Sequence, residues 1–341
     1  MQQPDIESQT SRSSNGQRNG APAGATPGAI LANGAAIQTS GEKPGEASKQ
    51  TPWHDTLQVL LGNPRLVVGL CIVGFFVLLA LVGPFLARQG PTTLSHDLFQ
   101  HPSLQHWLGT TQRGEDIFSQ IAYGARYSLL ISFGAATGST LLSMLFGLTA
   151  GYFGGWIDEV LSFLINIFLT LPGLILAVVI ASFAVRGPLS ILLVLLVTGW
   201  AYGARVLRSQ TLSIRSREFV AAATTMGEGS WRIIFTEILP NMIAIVAAGF
   251  VGTFIYAILT EVTLEFLGLG DITVPTWGTI LYWAQGDAAL LAGGWWQFVP
   301  AGLCVAILCA GLTFINFGVD EIANPALRQV GKQRKKRKVV V

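Results

Sequence analysis

Charge is what this sequence has least of. Asp, Glu, Lys and Arg make up only 12% of its 341 residues, about half the ~25% of ordinary soluble domains, so a chain soluble along its whole length is a poor fit. Cysteine is nearly as scarce. Cys71, Cys304 and Cys309 all fall inside apolar runs, which leaves no disulfide framework and no C-x-x-C metal pair. No G-x-x-x-x-G-K-[ST] phosphate loop occurs anywhere, which excludes that route to binding and hydrolysing ATP. The four histidines, His54, His96, His101 and His106, stand outside the apolar runs. The last three are five residues apart, so they share no helix face and offer no metal set. Within the apolar runs there is no nucleophile–base pair, which argues against an intramembrane enzyme.

What the sequence has instead is long charge-free runs, at 66–87, 127–157, 160–185, 187–204, 238–260 and 288–319. A bilayer core of about 30 Å takes roughly 20 apolar helical residues, and each run holds one span. Six spans are expected. The 39 glycines show no G-X-Y period, so they point to close helix packing in lipid. Gly134-x-x-x-Gly138 and Gly147-x-x-x-Gly151, with Gly155 one step further, would share a face of the second span. Pro172 falls in the middle of the third run and predicts a bend there.

Residues 1–52 are rich in Gly, Ala, Ser, Gln and Pro, with only isolated large apolar side chains. Such a segment cannot bury enough surface to offset its ordering entropy, and a disordered tail is expected. Residues 53–126 then hold the first span and an external segment, 127–325 a five-helix core with a cytoplasmic loop at 210–240, and 326–341 a basic tail. Lys and Arg set the orientation. Arg205, Arg208, Arg215, Arg217 and Arg232 flank or occupy the fourth connection, and seven more basic residues lie in the tail. The other side has Arg88, Arg113, Arg126 and Arg186 against five acids. Both termini and the 217–241 segment are therefore expected in the cytoplasm. The ending KQRKKRKVVV has the look of a nuclear-localisation cluster. In a six-span protein it fits an anionic leaflet better, and no nucleic-acid partner is expected.

The 217–241 segment, REFVAAATTMGEGSWRIIFTEILPN, is too organised for a bare connection. Residues 218–226 are helix-prone, and Gly227-Glu228-Gly229 would end that helix. Ser230 is placed to cap a second helix. Trp231, Ile234, Phe235 and Ile238 give i, i+3, i+4, i+7 spacing for one apolar face. Pro240 suits the start of the fifth span. The small residues Ala221, Ala222 and Ala223 would let a partner approach closely.

This segment resembles the cytoplasmic signature loop of ABC import permeases, E-A-A-x3-G-x9-I-x-L-P. Ala222, Ala223, Gly227, Leu239 and Pro240 match it; the motif glutamate falls on Ala221 and its isoleucine on Glu237. Glu218 lies three residues upstream, in an REF that is similar to the peptide-permease variant, and which acid meets the partner stays open. The resemblance extends over residues 60–328. In HWLGTTQRGEDIFSQIAYGARYSLLI, Gly109, Thr110, Gly114 and Asp116 match the family's G-T-D-x-x-G-R-D, while Thr111 and Glu115 depart from it. AGYFGGWIDE, LTEVTLEFLGLG and VPTWGTIL are similar to dipeptide and oligopeptide permease subunits of the C type.

The resemblance implies an all-α membrane protein with the six-helix type I importer domain. Its loop would be a coupling helix docking on a separate ATPase subunit, with Glu218, Ala221, Ala222, Ala223, Gly227, Leu239 and Pro240 at that contact. A homologous permease subunit and an extracytoplasmic solute-binding protein would complete the transporter. ATP and Mg would bind to the partner subunits, and no cofactor or metal to this chain. Di- and oligopeptides are the expected cargo, ahead of nickel chelates and other small solutes. An ion-gradient-driven secondary transporter is the competing reading, but such proteins often carry charge at mid-membrane, and these spans have none there. Glu261 and Glu265 lie at i and i+4 on the outer end of the fifth span. Interfacial solvation explains them, and a place at the outer mouth of the pathway is the sharper expectation. Arg205 and Arg208 would snorkel to lipid phosphate.

Overall fold

The computed structural model describes residues 63–87 and 89–323; the expected disordered and basic tails lie outside them. Helix α1 (Pro64–Leu86) begins where the Asn63 side chain accepts the Arg65 N–H at 3.1 Å, with Pro64 in the first turn, where its missing N–H costs nothing. An irregular segment follows. Asp116 then caps helix α2 (Ile117–Phe153), its Oδ2 accepting the Ser119 N–H at 2.9 Å and the Ser119 hydroxyl at 2.7 Å. The helix starts ten residues before the charge-free run. At 37 residues it is about 55 Å long at 1.5 Å per residue, well beyond the hydrocarbon core.

The third run forms two helices, α3 (Gly155–Thr170) and α4 (Gly173–Phe183), bent by 89°. Pro172 lacks an N–H and forces Leu171 into extended backbone (ψ 135°), so neither residue continues the helix. Helix α5 (Pro188–Arg215) again opens on proline. After it come the short helix α6 (Glu218–Thr225) and one long helical stretch from Ser230 to Phe266. That stretch comprises α7 (Ser230–Arg232), a π-helical turn (Ile233–Ile238) and α8 (Leu239–Phe266). Helix α9 (Trp277–Gly286) and helix α10 (Trp295–Ala323) complete the order. The sixth run begins with turns rather than helix: residues 288–294 close through Gly293 at φ 79°, and α10 starts at Trp295. Among the described residues five helices are long and apolar enough to cross a membrane, and six spans result if the bent α3–α4 pair counts as one. The described residues contain one isolated β-bridge, Thr110 with Asp116, and no strand.

Small residues position the bundle. The most extensive helix pairing is α2 with α5. A Cβ at Gly147 would stand 2.6 Å from the Ala204 carbonyl oxygen, and one at Gly151 2.8 Å from that of Arg208. The opposite helix does the same: Gly199 and Gly203 meet the hydroxyls of Ser139 and Ser143. Ser143 donates to the Trp200 carbonyl at 2.6 Å and Ser139 to that of Leu196 at 3.2 Å. Without a hydrophobic drive between helices in lipid, close approach and such bonds hold the pair. Gly134 and Gly138 also face α5, against Leu192 and Leu196; Gly155 meets nothing and takes no part. Helix α1 rests on α10 in the same manner, Gly69 against Gly311 and Ile315 and Gly318 against Leu66, while Phe75, Leu78, Leu81 and Phe85 face outward. Asn63 Nδ2 donates to Glu321 Oε2 at 2.9 Å and ties the two helices together at one end.

Candidate functional site

The loop between α5 and α8 is a folded unit. Helix α6 ends at Gly227, whose φ of 79° suits glycine, and the Gly227 and Glu228 N–H groups reach back to the Thr224 and Ala223 carbonyls at 3.1 and 3.2 Å. This closure satisfies carbonyls that a helix end leaves open. No atom would crowd a Cβ at 227, so the requirement for glycine is conformational. Ser230 is not a cap. It is the first helical residue, and Gly229 in extended backbone takes the cap position without a side-chain bond.

The apolar face also differs from the α-helical expectation. Ile234 and Ile238 are buried with Ile233 and Met242, packed against Leu148, Leu207, Val220 and Ala223. Trp231 and Phe235 instead point outward, 52% and 53% exposed, with stacked rings 6.2 Å apart at 22°. The π turn is the reason. Its i→i+5 bonding spends an extra residue per turn, which breaks the i, i+4, i+7 alignment between 231 and 238. The unit thus seats its isoleucines on the ends of α2 and α5. It leaves Glu218, Ala221, Ala222, Met226, Trp231, Phe235 and Pro240 exposed, with Leu239 half-buried and Ala223 buried.

Near the same end, Arg208 binds Asp158 through two bonds, one of them Nη2 to Oδ2 at 2.7 Å, and Arg205 donates to Asn166 Oδ1 at 2.8 Å. Arg208 is committed to an acid on α3 rather than to lipid phosphate, which corrects the expectation from sequence, while Arg205 stays exposed beside Asn166. Their partners are about 40 and 50 residues away, so only the antiparallel pairing of α3 and α5 brings them together.

Glu261 and Glu265 are not solvated at an interface: they are 0% and 3% exposed. Ser128 donates to Glu261 Oε1 at 2.9 Å and accepts the Trp277 N–H at 3.2 Å, and the Thr276 hydroxyl donates to Glu265. Residues 267–286 fold back over this end of α8, and Gly278 lies against Glu265, where a Cβ would be 2.6 Å from its Cβ. The pair joins α2, α8 and α9. In the segment before α2, His106 is held between Asp116 (Nδ1, 3.0 Å) and Asp97 (Nε2, 3.3 Å), and Arg113 lies 3.9 Å over the Trp283 ring. The histidine contacts brace the segment before α2 internally, and Arg113 with the Gln112 side chain, which donates to the Asp287 carbonyl at 2.6 Å, docks that segment onto the one after α8.

A hollow of about 560 Å³ opens between α2, the α3–α4 bend, α5, α8 and α10. Thr140, Ser143, Thr198, Tyr202, Thr253, Tyr256 and Asn316 supply its polar side chains, and among the described residues no acidic or basic one borders it. Glu261 and Glu265, the sequence candidates for a pathway, are not on its wall.

Residues 143–329 match the family described as binding-protein-dependent transport system inner membrane component. Residues 51–105 match the N-terminal TM domain of oligopeptide transport permease C. The dipeptide transport system permease protein DppC of Alkalihalophilus pseudofirmus is 34% identical over 282 residues, 82% of this chain and 91% of the relative. The oligopeptide transport system permease protein OppC of Bacillus subtilis is 31% identical over 279 residues, 81% and 90% of the two chains. That of Mycobacterium bovis is 36% identical over 240 residues, 68% and 80%. With its apolar helices, a family match over more than half its length and relatives aligned across most of both chains, this protein belongs to the permease family of binding-protein-dependent transport systems, as a multi-pass protein of the bacterial cell membrane.

Proposed function

We propose that this chain is the membrane-spanning subunit of an ATP-driven importer of di- and oligopeptides, working by alternating access. Its loop docks on an ABC ATPase subunit through the face that carries Glu218, Ala221, Ala222, Trp231 and Phe235. A homologous permease forms the other half of the channel, and an extracytoplasmic solute-binding protein delivers the peptide. ATP and Mg act on the ATPase subunits, and this chain binds neither. The loop and both termini face the cytoplasm, in keeping with the Lys and Arg bias.

One observation supports this reading above the others. The loop and the wall of the hollow belong to the same helical stretch: Ser230–Phe266 presents Trp231 and Phe235 at one end and Ile245, Gly249, Gly252 and Tyr256 to the cavity. A partner that moves the loop therefore moves the cavity wall, the coupling that a two-state transporter biased by a ligand requires. The peptide assignment follows the names of the relatives.

The test is co-purification from the native membrane in mild detergent, with Trp231→Glu/Phe235→Glu alongside the unaltered chain. Recovery of an ATPase with the unaltered chain, and at least tenfold less with the variant, is expected. Equal recovery moves the contact off this face. Peptide uptake that persists without ATP and follows an ion gradient refutes the importer reading.

A further inference from the structure

The hollow has features that helix packing leaves unexplained. Gly249 and Gly252 lie in the middle of α8 and on its wall, yet a Cβ at either would meet nothing within 4 Å, and neither has a positive φ. Glycine is unfavourable inside a helix, and the glycines that pack α2 against α5 are explained by close contacts; these two are not. What they provide is a flat strip of backbone facing the cavity. Along the same wall, Thr140 Oγ1 and Asn316 Oδ1 are buried with no hydrogen-bond partner. Buried polar groups are almost always paired; Asn316 Oδ1 lacks a donor, and the Thr140 hydroxyl, which can both donate and accept, lacks any partner. The Tyr256 hydroxyl is held by Thr198 Oγ1 at 3.2 Å, which leaves the phenol oxygen free to accept. The volume, about 560 Å³, falls within the ~300–1,000 Å³ of small-molecule sites.

We propose that this hollow holds the main chain of an extended peptide in transit, with Thr140, Tyr256 and Asn316 accepting its N–H groups, and that it is indifferent to the charge of the cargo's side chains. Every residue of a peptide except proline brings a backbone N–H donor, whatever its side chain. A wall with no acidic or basic group neither attracts nor repels a side chain by charge. Glycines at 249 and 252 let the backbone of the cargo approach the helix. The inference rests on the peptide reading given above and adds to it the contacts and the basis of tolerance within this chain.

The experiment uses the complete transporter, co-purified with its partner subunits and reconstituted in proteoliposomes with its binding protein. Uptake of Ala-Ala-Ala, Ala-Asp-Ala and Ala-Lys-Ala is compared across Thr253→Asp, Thr253→Lys and Thr253→Asn, since Thr253 borders the hollow. Relative to the unaltered protein, the Asp variant is expected to lower the ratio of acidic to basic peptide uptake tenfold or more, and the Lys variant to raise it. The Asn variant stays within twofold. Opposite shifts cannot come from misfolding. Uptake of all three peptides scaled by one common factor in both charged variants overturns the proposal.

A second measurement does not depend on introduced charge. Backbone N-methylation of the middle residue removes a donor, and the unaltered protein is expected to discriminate against that peptide at least tenfold. Thr140→Val/Asn316→Leu is expected to lose most of that discrimination; a double variant that discriminates as before refutes the backbone contacts. If the unaltered transporter takes up none of the peptides but does carry another solute, it is the substrate reading that fails, and the proposal with it.

Discussion

Gly147→Ala and Gly252→Ala add the same methyl group to the interior of two long helices, and the structure gives them opposite signs. Alanine is favoured over glycine in a helix by about 1 kcal/mol. At 252 nothing lies within 4 Å of the new Cβ, so the whole gain should appear, about 1 kcal/mol of added stability. At 147 the Cβ would stand 2.6 Å from the Ala204 carbonyl oxygen and 2.9 Å from the Leu207 Cβ. Neither atom is the free end of a flexible side chain, so α2 and α5 must separate. Overpacking of this kind costs about 1–3 kcal/mol. Separation also loosens the Ser143–Trp200 bond, and interhelical bonds of this type are worth ~0.6 kcal/mol on average. The propensity gain is common to both variants, so their difference isolates the contact, roughly 1.5–3.5 kcal/mol. Reversible unfolding in mixed micelles, followed by tryptophan fluorescence, measures it. Stabilities within about 0.5 kcal/mol of each other, or a less stable 252 variant, would refute the packing argument. The 252 variant carries a second expectation: greater stability with slower peptide uptake, since its methyl stands in the hollow.

Asp158→Asn should destabilise the chain by about 1 kcal/mol, a figure held down by partial exposure, and a double-mutant cycle with Arg208→Lys should show coupling of similar size. Thr276→Val removes both the cap of α9 and the hydroxyl bonded to Glu265; a cost of about 1–3 kcal/mol is expected, seen as faster deuterium exchange at the first amides of α9. Gly227→Val forces a branched residue into left-handed backbone at about 1–2 kcal/mol, so α6 should be cleaved sooner by protease, while Gly227→Asn should show a smaller effect. Ile234→Asp buries an unpaired charge and should abolish recovery of monodisperse protein. Trp231→Asp, on the exposed side of the same helical stretch, should purify normally.

The spans were legible because apolar runs and a mid-run proline act locally. Pro172 bends its helix whatever packs nearby, and the sequence marked that place. Gly147 and Gly151 were legible as a close-packing face, but the reciprocal Gly199 and Gly203 gain meaning only opposite Ser139 and Ser143, about 60 residues away. The Asp158–Arg208 pair was hidden for the same reason, since its geometry depends on how two antiparallel helices are staggered. In the loop, Gly227 was readable as a helix stop from its own chemistry. The outward turn of Trp231 and Phe235 was not, because an α-helical projection assumes 3.6 residues per turn and a π turn departs from it without a sequence marker. Glu261 and Glu265 were correctly placed on one face. Their burial comes from residues 267–286 folding over them, which spacing along α8 cannot convey.

The π turn at Ile233–Ile238 has a mechanical corollary. Each residue of an α-helix advances about 100° around the axis. If that turn tightened to α geometry with α8 held in place, everything on the loop side of it would swing through about one such step, carrying Trp231 and Phe235 around the rod, while the axis moved by only ~1.5 Å. In such a change a small axial displacement would become a large angular one, as in a crank rather than a piston.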